Sequence, residues 1–371
     1  MGDETEAVEA ALDASDDRDL YEVSEWEVRS ALDRLAVWVY AALAVLTRVV
    51  VVGLALAILA AIVALGGLGV VFQHPAIGLL ALLSAVPALG LAGYVWYSDT
   101  ASREPLGMLV ATFLLGVLFA NFAAVINTLA EGPVTAIPVV GTVVYFYVVV
   151  GPVEESVKQL AVRLHAYRHA SFTAVVDGAV YGAMAGLGFA TIENALYVSR
   201  GVLQAANATT DPGALVGAAA GTAAVRALAG PGHVLYSAYA GYYLGLAKFN
   251  PENRGPIVVK GLLVAAFVHA TYNTLSGVGS ALVATALGVP YAVGLFAFIV
   301  VYDGVFGYAL YRKIDRYRRV HGAVTADDDR GTDGESGASA DAGTGGTARE
   351  TDAATGADGP VAEDGASDDE N

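Results

Sequence analysis

Two glutamates and a lysine stand together in an otherwise apolar stretch, in the sequence Pro152-Val-Glu-Glu-Ser-Val-Lys158. Lys158 follows Glu154 by four residues, so the two side chains can pair on one face of a helix. A carboxylate in an apolar environment can also take a proton from water as a general base. The pattern predicts acid-base chemistry at Glu154 and Glu155, and an ion pair that only stabilises the helix is the simpler alternative.

The apolar stretches that follow carry further residues of this kind. Imidazole and amide groups can donate hydrogen bonds to an oxyanion that develops next to an activated water, so peptide hydrolysis fits the whole set. We predict a catalytic group with two supporting residues, Lys158 and Asn194. The catalytic group is Glu154, Glu155, Glu193, His233, His269 and Asn273.

Each of these residues also has a purely structural interpretation. Glu193 and Asn194 can cap a helix at the membrane interface, and a single histidine is often a hydrogen-bonded core residue. Asp177 and Arg226 are oppositely charged, and we expect them to form a structural pair without a catalytic role. Two histidines together with Asn273 favour a functional site over these alternatives.

Metal binding is a second question that these residues raise. Two histidines and a carboxylate can hold Zn²⁺, and the candidate ligands are His233, His269 and Glu193. The usual H-E-x-x-H helix of metalloproteases is absent from the sequence, so metal-free glutamate catalysis is favoured and zinc stays possible. The chain has no cysteine, which excludes disulfides and thiolate ligands.

The composition shows what kind of elements must position these residues. The chain is 56% hydrophobic and 15% charged, and its mean hydropathy of +0.55 is far above that of a soluble domain. Apolar stretches of bilayer-spanning length predict an all-α, polytopic transmembrane bundle of about eight helices. The predicted spans are 49–71, 76–97, 106–129, 139–164, 172–198, 214–247, 258–278 and 281–311, with a break at Gly230-Pro231-Gly232 in the sixth.

Small residues predict which helix faces pack together, because close approach of helices in lipid favours Gly, Ala and Ser at four-residue spacing. Gly178, Gly182 and Gly186 form such a stripe, and Glu193 lies seven residues further on. His233 is followed at the same interval by Ser237 and two glycines. The polar residues therefore lie on faces that turn toward other helices.

The acidic residues are concentrated at the two ends of the chain. Segment 1–36 has 12 acidic residues and three arginines, and segment 321–371 has 14 acidic residues and two arginines. We predict an acidic N-terminal segment 1–36, a transmembrane domain 37–320 and a disordered acidic tail 321–371. Acidic tails and 16 Arg against four Lys are typical of a salt-rich cytoplasm and suggest a halophile.

Basic residues predict the orientation in the cell membrane, since cytoplasmic loops retain Lys and Arg. Arg48, Arg103, Arg163 and the cluster from Arg312 to Arg319 fall on one side of an eight-helix arrangement, and Arg200 falls on the other. Both termini are therefore expected in the cytoplasm. The expected partners are the lipid bilayer and a membrane-associated protein, with no nucleic acid.

Four motifs in order give the chain a resemblance to the PrsW-type intramembrane proteases, which are related to the type II CAAX prenyl endopeptidases. Glu154 to Lys158 is similar to the family's E-E-x-x-K, and 177–194 is similar to its second motif. His233, then His269-Ala-Thr-Tyr-Asn273, and a D-x-x-x-x-E-P loop at 99–105 complete the resemblance, which covers 94–311. Glu193 stands where the prenyl endopeptidases have a histidine.

The resemblance implies an intramembrane endopeptidase that cuts a membrane-associated protein, in some relatives an anti-sigma factor during stress signalling. It also implies that Glu154 and Glu155 activate water and that Glu193, His233, His269 and Asn273 complete the site. Two other classes stay open from the residues alone. Buried carboxylates also fit an ion- or proton-coupled transporter, and the acidic tails also fit a non-catalytic membrane scaffold.

Overall fold

The structure is a computed structural model that describes residues 28–99 and 104–338. Within these residues the chain is helical and contains no strand. The α-helices are α1 (Ala31–Ala64), α2 (Gly69–Gln73), α3 (Pro75–Leu83), α4 (Val86–Tyr97), α5 (Leu106–Thr135), α6 (Gly141–Val144), α7 (Gly151–Leu164), α8 (Val175–Ala206), α9 (Pro212–Lys248), α10 (Arg254–Leu287) and α11 (Tyr291–Ala338). A π-helical segment, Tyr145–Val150, joins α6 to α7.

The predicted transmembrane bundle is confirmed. Seven helical stretches of the described residues are long and apolar enough to cross a membrane, with α3 and α4 counted as one stretch. The remaining predicted span, 139–164, corresponds to α6, the π-helical segment and α7, which follow one another without a gap. It is less apolar because α7 carries both glutamates and the lysine of the first motif.

The helices differ in extent from the predicted spans. Helix α1 begins at Ala31, because Ser30 and Asp33 form a reciprocal capping box in which each side chain accepts from the other's backbone N–H. Helix α9 continues through Pro231, so the predicted break in this span is absent. Segment 1–27 and the tail from residue 339 lie outside the described residues, and α11 extends to Ala338.

The centre of the bundle is the pair α8 and α9, which contact each other along most of their length. A Cβ at Gly178 would lie 2.2 Å from the carbonyl oxygen of Gly241, and one at Gly182 would lie 2.2 Å from that of Ser237. At Gly186 the nearest atom would be the carbonyl oxygen of His233, at 2.4 Å. The predicted glycine stripe is thus a backbone-to-backbone contact, and it sets His233 of α9 close to the middle of α8.

Helices α5, α7 and α10 surround this central pair. Phe119 of α5 and Val162 of α7 are fully or almost fully buried, and so is Val268 of α10. The outward faces expose large apolar side chains such as Leu54 and Leu263. A soluble protein would bury surfaces of this extent, so these faces suit contact with lipid.

Candidate active site

The two predicted glutamates are buried at the start of α7. Glu154 is 3% exposed, Glu155 is fully buried and Lys158 is 1% exposed. The Lys158 Nζ lies 2.7 Å from Glu155 Oε1 and 3.9 Å from Glu154 Oε2. The sequence predicted a pair between Lys158 and Glu154, and the structure gives the shorter contact to Glu155, one turn away at three-residue spacing.

Glu155 is bound on several sides. Besides Lys158, its Oε1 contacts His269 Nδ1 at 2.8 Å, and its Oε2 accepts a hydrogen bond from Ser237 Oγ at 3.5 Å. A buried charge is tolerated when it is paired and hydrogen-bonded in this way. Glu155 therefore connects α7 to α9 and α10 through hydrogen bonds, and both of its oxygens accept from donors of the protein.

The hydrogen-bond partners assign the tautomers of both histidines. His269 Nδ1 faces Glu155, and His233 Nε2 lies 2.9 Å from Glu193 Oε2. Because carboxylates only accept, these two nitrogens carry the hydrogens. His233 Nδ1 accepts from Lys158 Nζ at 3.0 Å, and His269 Nε2 keeps a lone pair. Each imidazole is thus oriented by a carboxylate behind it, as metal-binding histidines usually are.

Glu154 differs from its neighbour because one oxygen is bound and the other is not. Its Oε1 accepts from Asn127 Nδ2 of α5 at 3.0 Å. Its Oε2 is buried and has no hydrogen-bond partner. This oxygen lies 3.8 Å from His269 Nε2 and 3.9 Å from His233 Nδ1. The carboxylate of Glu154 therefore has an unpartnered oxygen that faces two ring nitrogens.

Glu154, His233 and His269 form a group that could hold a metal ion, since their candidate ligand atoms lie within 4.8 Å of one another. Tetrahedral zinc with bonds of about 2.0–2.1 Å brings its ligand atoms to about 3.3–3.5 Å, slightly closer than they are here. The metal set suggested by the sequence contained Glu193 in place of Glu154. In the structure Glu193 lies on the far nitrogen of His233, behind the ring.

Glu193 is held by a polar cluster that links α8 to α9. Arg226 donates to Glu193 Oε2 and, through Nε, to Asn194 Oδ1 at 2.9 Å. Asn194 Nδ2 in turn donates to the backbone oxygen and the hydroxyl of Ser84, at 3.2 and 3.1 Å. The predicted pair of Asp177 and Arg226 was wrong, because Arg226 lies beside Glu193, four helical turns further along α8.

A cavity of about 1130 Å³ opens beside the unpartnered oxygen of Glu154. Asn273 lines it one turn after His269, whereas Glu155 does not line it. The cavity extends to Arg200 and Glu131, at the ends of α8 and α5 away from the basic loop around Arg163 and Arg168. Five of the six predicted catalytic residues line this cavity, namely Glu154, Glu193, His233, His269 and Asn273.

Sequence reasoning missed the contacts that three further residues make to the predicted catalytic glutamates. Asn127 was overlooked because a single amide in an apolar helix carries no motif. Ser237 was interpreted as part of a small-residue stripe, although its hydroxyl also reaches Glu155. Arg226 was assigned to the wrong acid. Its spacing of seven residues before His233 places both on one face of α9 and could have shown the connection.

A second group of buried carboxylates lies near the beginning of α8. Asp99, Glu104 and Asp177 are all buried, with oxygens within 4.8 Å of one another. Asp177 Oδ2 accepts from the backbone N–H groups of Thr173 and Ala174 and so caps α8. Glu104 lies two residues before α5. Burial, together with the charges of Asp99 and Asp177, raises the pKa of Glu104 to about 8.

Comparison with known proteins gives consistent matches. Residues 104–303 match the family model described as PrsW family intramembrane metalloprotease. The chain is 31% identical over 199 residues to "Protease PrsW" of Bacillus subtilis, which covers 53% of this chain and 82% of the relative. It is 31% identical over 201 residues to the protein of that name from Geobacillus kaustophilus, covering 53% and 80%. No solved structure matches the chain.

Proposed function

The chain belongs to the PrsW family of intramembrane proteases, and from that premise we propose that it hydrolyses a peptide bond in a membrane-associated protein. The observation that carries the proposal is the buried, unpartnered Oε2 of Glu154, which faces two imidazoles at the wall of a cavity. A scaffold protein needs no such group. A buried oxygen without a partner costs free energy, and a role in catalysis explains why it is kept.

The residues divide the reaction among them. Glu154 takes a proton from water, and the resulting hydroxide oxygen attacks the carbonyl carbon of the substrate. Glu154 then gives the proton to the departing amide nitrogen as the carbon–nitrogen bond breaks. Asn273, at the cavity wall, donates to the developing oxyanion. Glu155 and Glu193 orient the two imidazoles, while Lys158 balances the charge of Glu155 and Arg226 balances that of Glu193.

The same side chains fit a zinc ion. Glu154 Oε2, His233 Nδ1 and His269 Nε2 would hold it, and the carboxylates behind both rings would orient these ligands. Zinc would supply Lewis-acid activation of water and of the carbonyl. His233 Nδ1 would then exchange its hydrogen bond from Lys158 for the metal, and Lys158 would keep Glu155. The metal-free route favoured by the sequence uses the same Glu154 as the base.

Protein fragments in membranes provide the test. Cells that express the wild-type chain should release new N-termini from one or a few membrane proteins, and these should be absent with Glu154→Gln. A matched variant, Glu252→Gln, changes an exposed glutamate outside the site and should leave the fragments unchanged. Identical fragments from wild type and Glu154→Gln would refute the proposal.

Purified protein then separates the two routes. The fragment sequences define a peptide substrate that can be cleaved in detergent or in vesicles. Loss of cleavage with a chelator and recovery with zinc would assign the metal-dependent route. Full cleavage after removal of metal would assign the glutamate-only route.

We also propose that both termini and the loop around Arg163 and Arg168 face the cytoplasm, on the basis of the distribution of basic residues. The chain has no cysteine, so single cysteines can be introduced at Ser171 and Asn207. An impermeant thiol reagent added outside should label Asn207→Cys and not Ser171→Cys. The opposite labelling would show the reverse orientation.

A further inference from the structure

Asn127 makes a contact to the site that no motif suggested. It lies on α5, lines the cavity and donates from Nδ2 to Glu154 Oε1 at 3.0 Å. We propose that Asn127 is a positioning residue that fixes the carboxylate of Glu154 so that Oε2 faces His233 and His269. This inference rests on the proposed function and assigns a further residue to its site.

The geometry supports the role in three ways. A carboxylate only accepts hydrogen bonds, so the amide nitrogen of Asn127 must be the atom that faces Glu154. The bond occupies one oxygen of Glu154 and leaves the other without a partner. Rotation of the carboxylate group about its last bond would exchange the two oxygens, and the single donor from α5 opposes that rotation. The amide thereby selects which oxygen faces the imidazoles.

Asn127 is itself held in place. Tyr145, the first residue of the π-helical segment, donates from its hydroxyl to the backbone oxygen of Asn127 at 3.1 Å. The segment that ends just before the Glu154 helix thus also contacts the turn of α5 that carries Asn127. Such a contact sets the spacing between donor and acceptor. Comparable outer partners of catalytic or metal-binding groups affect activity or metal affinity by about 10- to 100-fold.

The chain offers a matched control on the same helix. Asn121 is fully buried, and its amide donates to the backbone oxygens of Val117 and Leu118, within α5. Asn127→Leu and Asn121→Leu make the same change of shape and polarity six residues apart. Only the first removes a contact to Glu154. Thermal unfolding of each variant shows whether the fold is retained, and Asn127→Ala serves as a second variant if Leu is not accommodated.

Two measurements test the inference in the purified full chain. Binding of Co²⁺, followed by its visible absorption, should weaken about 10- to 100-fold in Asn127→Leu and stay unchanged in Asn121→Leu. Cleavage of the substrate peptide should show kcat lowered by a similar factor with KM unchanged, because the amide orients the base and does not bind substrate. Cobalt affinity and kcat both within twofold of wild type in Asn127→Leu would overturn the proposal. A raised KM with unchanged kcat and unchanged cobalt affinity would overturn it as well.

Failure of the role proposed for Asn127 can be distinguished from failure of the proposed protease function. A wild-type protein that binds cobalt through Glu154 but cleaves nothing would refute the protease, and the cobalt titration would still decide the role of Asn127. A protein that cleaves without metal would leave the decision to kcat. A chain that neither binds cobalt nor cleaves would overturn both, since Glu154 would then have no reaction to be positioned for.

Discussion

Two groups of buried carboxylates lie along α8, one at its beginning and one just past its middle, and they are neutralised differently. Asp177 is in the first turn of this helix and Glu193 lies sixteen residues later, about 24 Å along the axis. Near Glu193 the carboxylates of Glu155 and Glu193 contact Lys158, Arg226 and two imidazoles. Near Asp177 the pKa of Glu104 is raised to about 8, so a bound proton removes one of the charges at neutral pH.

The difference bears on the proposed role of Glu154 as a general base. Cations and N–H donors stabilise the charged form, which a general base requires. A bound proton removes the cost of burial, and it also removes the base. Burial alone therefore does not identify a catalytic carboxylate. The partners of each oxygen distinguish the two groups, and the variants below test that distinction.

The largest expected effect is on cleavage by Glu154→Gln. This variant loses the buried, unpartnered oxygen that we propose as the proton acceptor, so kcat/KM should fall by about 10⁴-fold, the upper end for loss of a general base. Glu104→Gln, in the other carboxylate group, should cleave at close to the wild-type rate. Rates measured with the substrate peptide make the comparison. Equal losses in both variants would show that the two groups do not differ in function.

Glu155→Gln should affect both stability and activity. The change leaves Lys158 buried beside a neutral amide and replaces the charged acceptor that orients His269 with a weaker one. Loss of one partner of a buried ion pair costs about 3–5 kcal/mol, so the melting temperature should fall clearly. Cleavage by the folded fraction should also fall below that of Asn273→Ala. Intrinsic tryptophan fluorescence during heating measures the first effect. An unchanged melting temperature would contradict the structural role of Glu155.

Asn273→Ala should leave measurable activity. Loss of one oxyanion donor typically lowers kcat by about 10²- to 10³-fold, while the base and both imidazoles stay in place. The melting temperature should change little, because Asn273 is only partly buried and lines the cavity. Single-turnover cleavage measures the residual rate. A loss as complete as that of Glu154→Gln would indicate a different role for Asn273.

The smallest effect is the pH dependence of stability from Glu104. Its pKa in the folded chain, about 8, exceeds the ordinary value of 4.5, so the folded state binds an extra proton between these pH values. Stability should therefore fall as pH rises from about 5 to 8. In Glu104→Gln this decrease should be weaker, while the exposed control Glu252→Gln should behave like wild type. Melting temperatures across this range give the answer, and parallel curves for Glu104→Gln and wild type would contradict it.

The sequence predicted the general arrangement well because bilayer spans and small-residue stripes are local patterns. The stripe at Gly178, Gly182 and Gly186 and the convergence of Glu154 with both histidines follow from such patterns. The contacts of Asn127 and Arg226 could not be predicted from such local patterns. Each depends on the rotation of one helix relative to another, which spacing within a single helix does not determine. The helix boundary at Ala31 depended on a capping box that hydropathy does not detect.

The π-helical segment before α7 has a further consequence for that rotation. Tyr145 and Glu154 both contact Asn127, although nine residues at 100° each would put them on opposite sides of a regular α-helix. A π-helix takes roughly one more residue per turn, so each of its residues advances by only about 80°. Over Tyr145–Val150 this deficit amounts to about 120°, which returns Glu154 to the side that carries Tyr145. The segment thus supplies the rotation that brings Glu154 to Asn127, and a regular α-helix of the same length would place the Glu154 carboxylate on the opposite side, away from its partners.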